Sequence, residues 1–571
     1  MSLNATLANS ANALGVFTTG LAISGNNISN AATPGFAREQ LFVEPSVGRS
    51  GVIQTGVRQS VNLHLESRLH TASTGAAGSG ATAELFAGLE RVLNELTDGD
   101  LSTALSDFSA AVGATVAEPT SAGVRQSLLD EGAALASDFR SLNARATDLN
   151  GDLFTRANDL VGEANELILE VQNLNERIMP LELGRESDSD ASQLRDQRYA
   201  AMQRLSEIVP LEFRETRFGT VELRSGEDWL LLGESVQTLE LVEPDVDPQN
   251  PPFRLPFPRV RTSRTNSSLE GGGELHAVLQ GGDAVVGGFL DDLDALAGGL
   301  IEAVNRLHVG GRGFEGLTDV TAERRALDPT LSLAESVGDN QLPFPLEHGG
   351  FTLTVVNQTT GAETDTRIDI DLDGLNADDT TLNDLVASLD AVNGVSAALD
   401  SQGYLRLTAD SGREFHFADD TSGVLAGLGL NHFFAGRNSG DIALSAALEE
   451  NPGQLAVGRG GGPGDNSNVL AIADALASPL EHARDPGLVG KTLDGRYAEI
   501  VGAVGRGSAA ERALAEASTF HRDALASQRE QFSGVSLDEE AVRIMELQRQ
   551  YQASAQVIST ADSLFEVLLG L

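Results

Sequence analysis

Apolar and small residues near the start of the chain fall at alternating gaps of four and three: Leu3, Leu7, Ser10, Leu14, Phe17, Leu21, Ser24 and Ile28. The far end repeats the pattern with Ile544, Leu547, Tyr551, Ser554, Ile558, Ala561, Phe565 and Leu568. A repeat of about 3.5 residues is the seam of a coiled coil. The two seams can pair if the chain folds back on itself. The termini would then share one helical pair, the middle would form an outboard body, and neighbouring pairs could pack side by side. This is the plan of a building block.

Between the seams the pattern changes several times. Residues 25 to 36 end the first helix in Asn and Gly and make a Thr-Pro-Gly turn. Residues 37 to 61 read as extended chain or a short hairpin. From Leu63 to Pro210 the period is helical, with a stripe of Leu85, Leu89, Val92, Leu93 and Leu96, and a second of Leu167, Ile168, Val171, Leu174 and Ile178 that Pro180 should end. A further helix runs from Ser192 to Val209. Alternation over residues 211 to 232 predicts strands, and the proline-rich stretch from Glu243 to Arg264 predicts a loop. Helix returns after Gly271-Gly272-Gly273 and reaches Leu307. Residues 351–356, 367–372, 395–399, 404–408 and 414–417 read as strands around one helix, 380–392, whose N-cap is Thr380 or Thr381. After the glycine-rich Gly458–Gly464, helix continues with breaks to the end.

This order predicts a multidomain α+β chain of nested parts. Residues 1–62 and 530–571 form a terminal helical coiled-coil domain. Residues 63–210, 271–345 and 435–529 form a long-helix bundle. Residues 211–270 are a small β-rich insertion, and 346–434 are an outer β-rich insert. Each outer piece is interrupted by the next.

Charge narrows the function. The 39 basic and 83 acidic side chains leave a net charge of −44. No basic patch could offset that field, so nucleic acid and anionic membrane surfaces are excluded as partners. Residues 339–450 hold 19 acidic and 4 basic side chains, net −15, so this insert faces water. By contrast, residues 1–37 carry no Asp, Glu, Lys or Arg. Such a stretch lacks the basic region of a secretory signal and the unbroken apolar run of a membrane span. The absence of cysteine excludes disulfides and thiolate chemistry.

Catalytic patterns are missing. There is no His-Glu-x-x-His pair, no Gly-x-Ser-x-Gly elbow and no phosphate loop; Gly490-Lys491-Thr492 matches only the tail of one. Asp369, Asp371 and Asp373 open like a calcium loop, but the twelfth position is Thr380 where a bidentate Glu is needed. The chain is therefore read as neither an enzyme nor a holder of any cofactor or metal.

Two segments carry a family resemblance. Asn26, Asn27 and Asn30, then Thr33, Pro34, Gly35 and Phe36, resemble the N-terminal signature of the axial proteins of the bacterial flagellum (rod, hook and hook-associated proteins). Residues 534–540, then Gln548, Tyr551, Gln552, Ile558 and Thr560, resemble their C-terminal signature. Residues 194–198, 304–308 and 464–468 resemble the hook-associated branch, and 350–434 resemble its flagellin-type insert. The resemblance implies a structural subunit of the junction between hook and filament. It implies type III export, so the protein would be transiently cytoplasmic and finally extracellular, on the flagellum. It implies four partners: the hook protein, the second hook-associated junction protein, copies of itself in a ring, and a cytosolic export chaperone. The assembly seam would be Leu3, Leu7, Leu14, Phe17, Leu21 and Ile28 with Ile544, Leu547, Tyr551, Ile558, Phe565 and Leu568. The chaperone would cover Leu547, Tyr551, Ile558, Phe565 and Leu568. The rival readings are another axial protein, from hook or distal rod, or a secreted adhesin that binds calcium or glycan.

Overall fold

The computed structural model describes residues 3–33, 35–45, 52–93, 100–182, 191–243, 257–264, 271–335, 342–344, 346–375, 378–480, 483 and 485–569. It is a mixed α+β chain of several packed units. Helix α1 (Leu3–Asn30) leads to an antiparallel hairpin of β1 (Glu39–Pro45) and β2 (Val52–Gln59). Then come α2 (Leu63–Leu93), α3 (Leu101–Ala117), α4 (Ala122–Glu182) and α5 (Ser192–Ile208).

Helix α4 is the beam of the body. It runs for 61 residues because its apolar stripe never loses phase. Leu128, Gly132, Leu135, Phe139, Leu142 and Ala146 are buried at gaps of four and three; Ala157, Leu160, Ala164, Ile168 and Val171 continue the stripe. Two separate cores are strung along it. The first half packs in a core with Leu89, Phe108, Leu293, Leu300, Phe433 and Ile500. The second half packs with Met202, Leu205, Leu223, Leu231 and Leu275. Pro180 was expected to end a helix starting near residue 164. The helix instead begins at Ala122 and runs on to Glu182, with Pro180 inside its last turn. So close to the end, the ring disturbs little of the ladder.

After α5, β3 (Glu212–Glu215), β4 (Val221–Ser225), β5 (Asp228–Leu232) and β6 (Ser235–Val236) form a four-stranded antiparallel sheet in sequence order. β7 (Leu239–Val242) pairs with β8 (Arg259–Thr262). The second strand of that pair lies inside the stretch read from sequence as a loop. Its alternation is short and follows prolines, so local pattern hid it; Val260 and Thr262 are nonetheless buried. Residues 244–256 lie outside the described residues.

Helix α6 (Gly273–Gln280) passes through one π turn, Gly281–Val286, into α7 (Gly287–His308). The wider turn sits where two glycines meet bulky neighbours. A Cβ on Gly281 would lie 2.2 Å from Leu85 Cδ1, and one on Gly282 2.4 Å from Phe257 Cε2. The extra residue lets the backbone approach both.

The outer unit follows. β9 (Asp319–Thr321) joins β12 (Val395–Leu399) and β13 (Leu405–Ala409) in one sheet, ordered β12-β13-β9. β10 (Gly349–Asn357), β11 (Glu363–Ile370) and β14 (Arg413–Ala418) form the other, ordered β11-β10-β14. Helix α8 (Leu382–Asp390) starts on Thr381, whose side chain accepts from Asp384 N in a capping box. Phe351, Leu353 and Val355 alternate inward and meet Ile368, Phe415, Phe417 and Leu385. This core also takes in Val309, Leu317, Leu333 and Phe344, so its packing begins well before residue 346. The sequence signal was weak there because the segment is irregular and buries single residues.

The chain returns through α9 (Val424–Leu428), the short pair β15 (Phe434–Ala435) and β16 (Ala443–Leu444), and α10 (Ala446–Glu450). It ends in α11 (Ser467–Ala477), α12 (Leu493–Ser533) and α13 (Leu537–Leu569). The return is fixed by Asn305 of α7. Its buried side chain donates to Phe434 O (2.7 Å) and accepts from Phe433 N and Phe434 N (2.9 and 3.0 Å). Phe433 and Phe434 then stack on Phe108. Gly132 is required beneath them, since its Cβ would lie 2.8 Å from Phe433 Cε1.

Phe433 is 2% exposed. Phe433→Ala should therefore lower the stability of the helical body by about 3–5 kcal/mol, the usual cost of emptying an aromatic site in a core. Urea unfolding followed by circular dichroism measures it. A change below about 1 kcal/mol would show that this aromatic cluster does not hold the returning chain.

Candidate functional site: the terminal helix pair and its joint

Helices α1 and α13 pack together, and they run antiparallel: Arg38, just past the end of α1, meets Glu540 at the start of α13, while Gly20, further back, meets Leu547, further on. A Cβ on Gly20 would lie 3.1 Å from Leu547 Cδ1 and 3.7 Å from Leu41 Cδ2, so α1 is held between α13 and the hairpin. Even a Cβ at Gly20 would need the Leu547 side chain to shift by a few tenths of an ångström.

The two expected seams fare differently. On α13, Ile544, Leu547, Ile558 and Phe565 are half-buried and Ala561 is buried, while Tyr551 is 41% exposed. The side chain of Leu568 lies outside the described residues. On α1 the buried residues are Val16, Gly20, Ile23, Ser24 and Asn27. Leu3, Leu7, Leu14, Phe17, Leu21 and Ile28 are only half-buried. Most of the deepest face is one residue earlier than the leucine stripe, or about 100° around the helix. The leucine stripe lies beside that deepest face and stays half-buried in the single chain. The outer face of α13 is apolar as well: Val542, Met545, Val557, Leu564 and Val567 are each at least 42% exposed.

The asparagines of the N-terminal motif do specific work. Asn27 is fully buried; its Nδ2 donates to Glu39 O and its Oδ1 accepts from Glu39 N, both at 2.9 Å. The amide thus pairs with the backbone as another strand would and fixes how the chain leaves α1. Asn26 Nδ2 donates to the Glu39 carboxylate (3.2 Å), and Asn30 Nδ2 donates to Asn26 O (3.0 Å). Thr33 N donates to Asn30 O and Phe36 N to Thr33 O. Gly35 has φ +82, a left-handed turn that favours glycine. Phe36 is half-buried, and Pro34 lies outside the described residues.

Just beyond this turn, four segments of the chain meet. Arg38 N donates to Ser533 O (2.8 Å), while its side chain pairs with Glu540 (2.8 Å) and Glu539 (2.9 Å). Arg529 pairs with the buried Glu66 (2.7 Å) and donates to Gly35 O (2.9 Å). Asp196 of α5 accepts from Ala37 N (3.3 Å) and Gln59 Nε2 (2.8 Å). His70 is buried beside them with no hydrogen-bond partner for either nitrogen, and burial, with Arg529 adding to it, holds its pKa down to about 4. Sequence reading assigned these groups no role. Their only signal was position: Arg38 is the first charge after 37 uncharged residues, and Glu539 and Glu540 close the C-terminal motif.

The calcium-like stretch forms a tight acidic turn. Ligand oxygens of Asp371, Asp373 and Asp379 lie within 4.8 Å of one another. They already accept from the turn's own amides: Asp371 from Asp373 N, Asp373 from Leu375 N, and Asp379 from Gly374 N. Asp369 points elsewhere, to Arg367, and Thr380 closes the turn by accepting from Asp371 N. Among the described residues, no helix is long and apolar enough to cross a membrane.

Comparison with known proteins adds the following. A family profile described as the flagellar hook-associated protein FlgK helical domain matches residues 86–320. One described as flagellar basal body rod FlgEFG protein C-terminal matches residues 526–571. Flagellar hook-associated protein 1 of Escherichia coli (strain K12) is 22% identical over 561 residues, covering 96% of both chains. The protein of that name from Salmonella typhimurium is 22% identical over 569 residues, again 96% of both. The one from Bacillus subtilis (strain 168) is 22% identical over 577 residues, 96% of this chain and 94% of its own. The solved structure of the flagellar hook junction protein FlgK from Burkholderia pseudomallei aligns with 82% of this chain and 100% of its own, at 15% identity and a TM-score of 0.49.

Burial pushes the Asp196 carboxyl up to about 7 from 3.8, despite the hydrogen bonds it accepts from Ala37 N and Gln59. An acid with a raised folded pKa binds more protons folded than unfolded, so stability falls as pH rises from about 4 to about 7 and stays low above. Asp196→Asn keeps the oxygen acceptor without the charge. It should increase amide protection of residues 37–60 at pH 8, and the gain should vanish near pH 4. Hydrogen exchange, corrected for intrinsic rates, reads both; an equal gain at the two pH values would exclude charge as the cause.

Proposed function

The chain belongs to the flagellar hook-associated protein 1 family and is a structural subunit of the hook–filament junction; on that premise we propose how it assembles. The seam is Leu3, Leu7, Leu14, Phe17, Leu21 and Ile28 of α1 with Ile544, Leu547, Tyr551, Ile558, Phe565 and Leu568 of α13. The α1 stripe takes the helices of neighbouring copies, while α13 takes α1 of its own chain. The observation that carries this is the unfilled pairing: α1 keeps a half-buried apolar stripe about 100° from its own deepest face, and α13 exposes Val557, Leu564 and Val567. One two-helix pair covers only part of each helix, and further copies would cover the rest.

The remaining assignments follow this plan. Residues 1–62 and 530–571 form the inner assembly domain, 63–210 with 271–345 and 435–529 the helical body, and 211–270 and 346–434 the outer insertions, the core of the last also drawing in side chains from Val309 to Phe344. The ring of copies meets the hook protein on one side and the second hook-associated junction protein on the other. Before type III export a cytosolic chaperone covers Leu547, Tyr551, Ile558, Phe565 and Leu568. Of these, Leu547 meets Gly20 of α1, and Ile558 and Phe565 are half-buried in the single chain, so chaperone binding and folding of the pair would compete.

Deleting the gene should leave cells with hooks but no filaments, and flagellin in the medium, by electron microscopy and immunoblot. Leu14→Asp should fail to restore filaments. The variant protein should keep its circular dichroism and thermal transition, because Leu14 is only half-buried in the single chain. Normal filaments with Leu14→Asp would refute the seam. Loss of the hooks themselves would move the subunit to the rod or hook.

A further inference from the structure

The two glycine-rich stretches, residues 310–313 and 458–464, come together although they are far apart in sequence. Arg312 N donates to Gly458 O (2.7 Å). Between them and the first turn of α4 lies a cavity of about 220 Å³, lined by Arg125, Arg312, Phe314, Gly460, Pro463 and Asp465. Nothing in the assembly of the terminal helices uses it.

Arg125 is its unusual wall. The side chain is 4% exposed, yet no carboxylate among the described residues pairs with it. Nε donates to Pro119 O (2.7 Å), one Nη1 hydrogen faces Leu455 O (3.5 Å), and the ring centre of Phe314 lies 3.5 Å from the guanidinium carbon. Burial lowers its pKa to about 10. A guanidinium has five N–H donors. Two are accounted for here, and the face is taken by the ring, so the Nη edge remains.

The other charges decide what can sit there. Arg312 is occupied by Glu363 (2.9 Å) and Glu414 (3.4 Å). The Asp465 carboxylate accepts from Arg459 N (2.6 Å), Gly461 N and Ser467 N (both 2.9 Å), so those loop amides are spent on an internal anion. One positive charge is left without a partner, opposite a fixed negative one. A dianion would be repelled by Asp465; a single planar carboxylate matches the fork of Arg125. The cavity is larger than acetate requires, so the carboxylate can carry an organic body of several atoms.

We propose that this cavity is a binding site for a monocarboxylate, held by the free Nη edge of Arg125 with its organic body under the glycine-rich loop. The carboxylate comes from a small organic acid or from the end of a neighbouring polypeptide. The inference is independent of how the terminal helices assemble.

The test is calorimetric titration of the full chain at constant ionic strength with sodium butyrate, with sodium phosphate, and with a short Gly-Phe-ended peptide in free-acid and amidated forms. Butyrate or the free-acid peptide should bind saturably, with phosphate at least about tenfold weaker, a gap of about 1.4 kcal/mol. Arg125→Gln should weaken the carboxylate by at least about tenfold. That variant also loses bonds to Pro119 O and Leu455 O, so Phe314→Glu serves as the second probe. It places a carboxylate over the guanidinium in cis, and should raise the thermal midpoint and abolish the butyrate response. Tighter binding of the free-acid peptide than of butyrate assigns the site to a polypeptide end; the reverse assigns it to a small acid. No binding by either, phosphate binding as tightly as butyrate, or equal binding by Arg125→Gln would overturn the proposal.

Discussion

The structure depends on bringing two chain ends together at one polar joint. Arg38 and Glu540 are separated by 502 positions and lie 2.8 Å apart. Glu540 is 1% exposed, and its second oxygen has no partner. A carboxylate in that setting is tolerable only while its cation is present; removing one partner of a buried pair costs about 3–5 kcal/mol. The joint also contains Arg529 with Glu66, Asn27 on the Glu39 backbone, and Asp196 under Ala37. Each links a different pair of segments. The helical pair, the hairpin, α5 and the end of α12 are therefore positioned by a few directional contacts rather than by a shared apolar core. Such contacts set an angle, whereas an apolar core alone would not.

Helix α4 imposes the complementary constraint on the body. One uninterrupted stripe serves two cores, so the sheet of β3 to β6 and the aromatic cluster at Phe433 are held at a fixed separation along one rod. The outer unit is reached through α7 and closed by Asn305 on the returning strand. Bending α4 would shift both cores together. The layered order of the domains is thus a mechanical arrangement as well as a topological one.

Where the sequence was legible, the signal was periodic. The stripes of α4 and the alternation of β10 came from repeated burial of large apolar side chains, which a local window can count; the α13 stripe shows the same kind of period, although only Ala561 of it is fully buried. The deeper face of α1 escaped because it is built from Gly20, Ser24 and Asn27 as well as Val16 and Ile23. Those residues matter for smallness or hydrogen bonding, and neither registers as hydrophobicity. The joint escaped for another reason: pairs such as Arg38–Glu540 and Asp196–Ala37 have no periodicity and join distant segments. In a chain with 83 acidic residues, the one carboxylate that meets Arg38 in a buried setting is indistinguishable from the rest until the fold places it.

The distribution of charge fits the same arrangement. A net charge of −44 would oppose the close packing of many copies if it were spread evenly. It is not: α1 and its turn carry no charge before Arg38, while residues 339–450 alone carry −15. Exposed charges on the outer unit are screened over roughly 10 Å at ordinary salt. Repulsion between outer units therefore fades over that distance, whereas charges on closely packed inner helices would act at contact range with little water between them. Keeping α1 neutral removes the largest such term where copies would approach most closely. The same neutrality leaves α1 few polar anchors, and this explains why its exit is fixed by the amide of Asn27 and why the first charged side chain after it, Arg38, is committed at once to the joint.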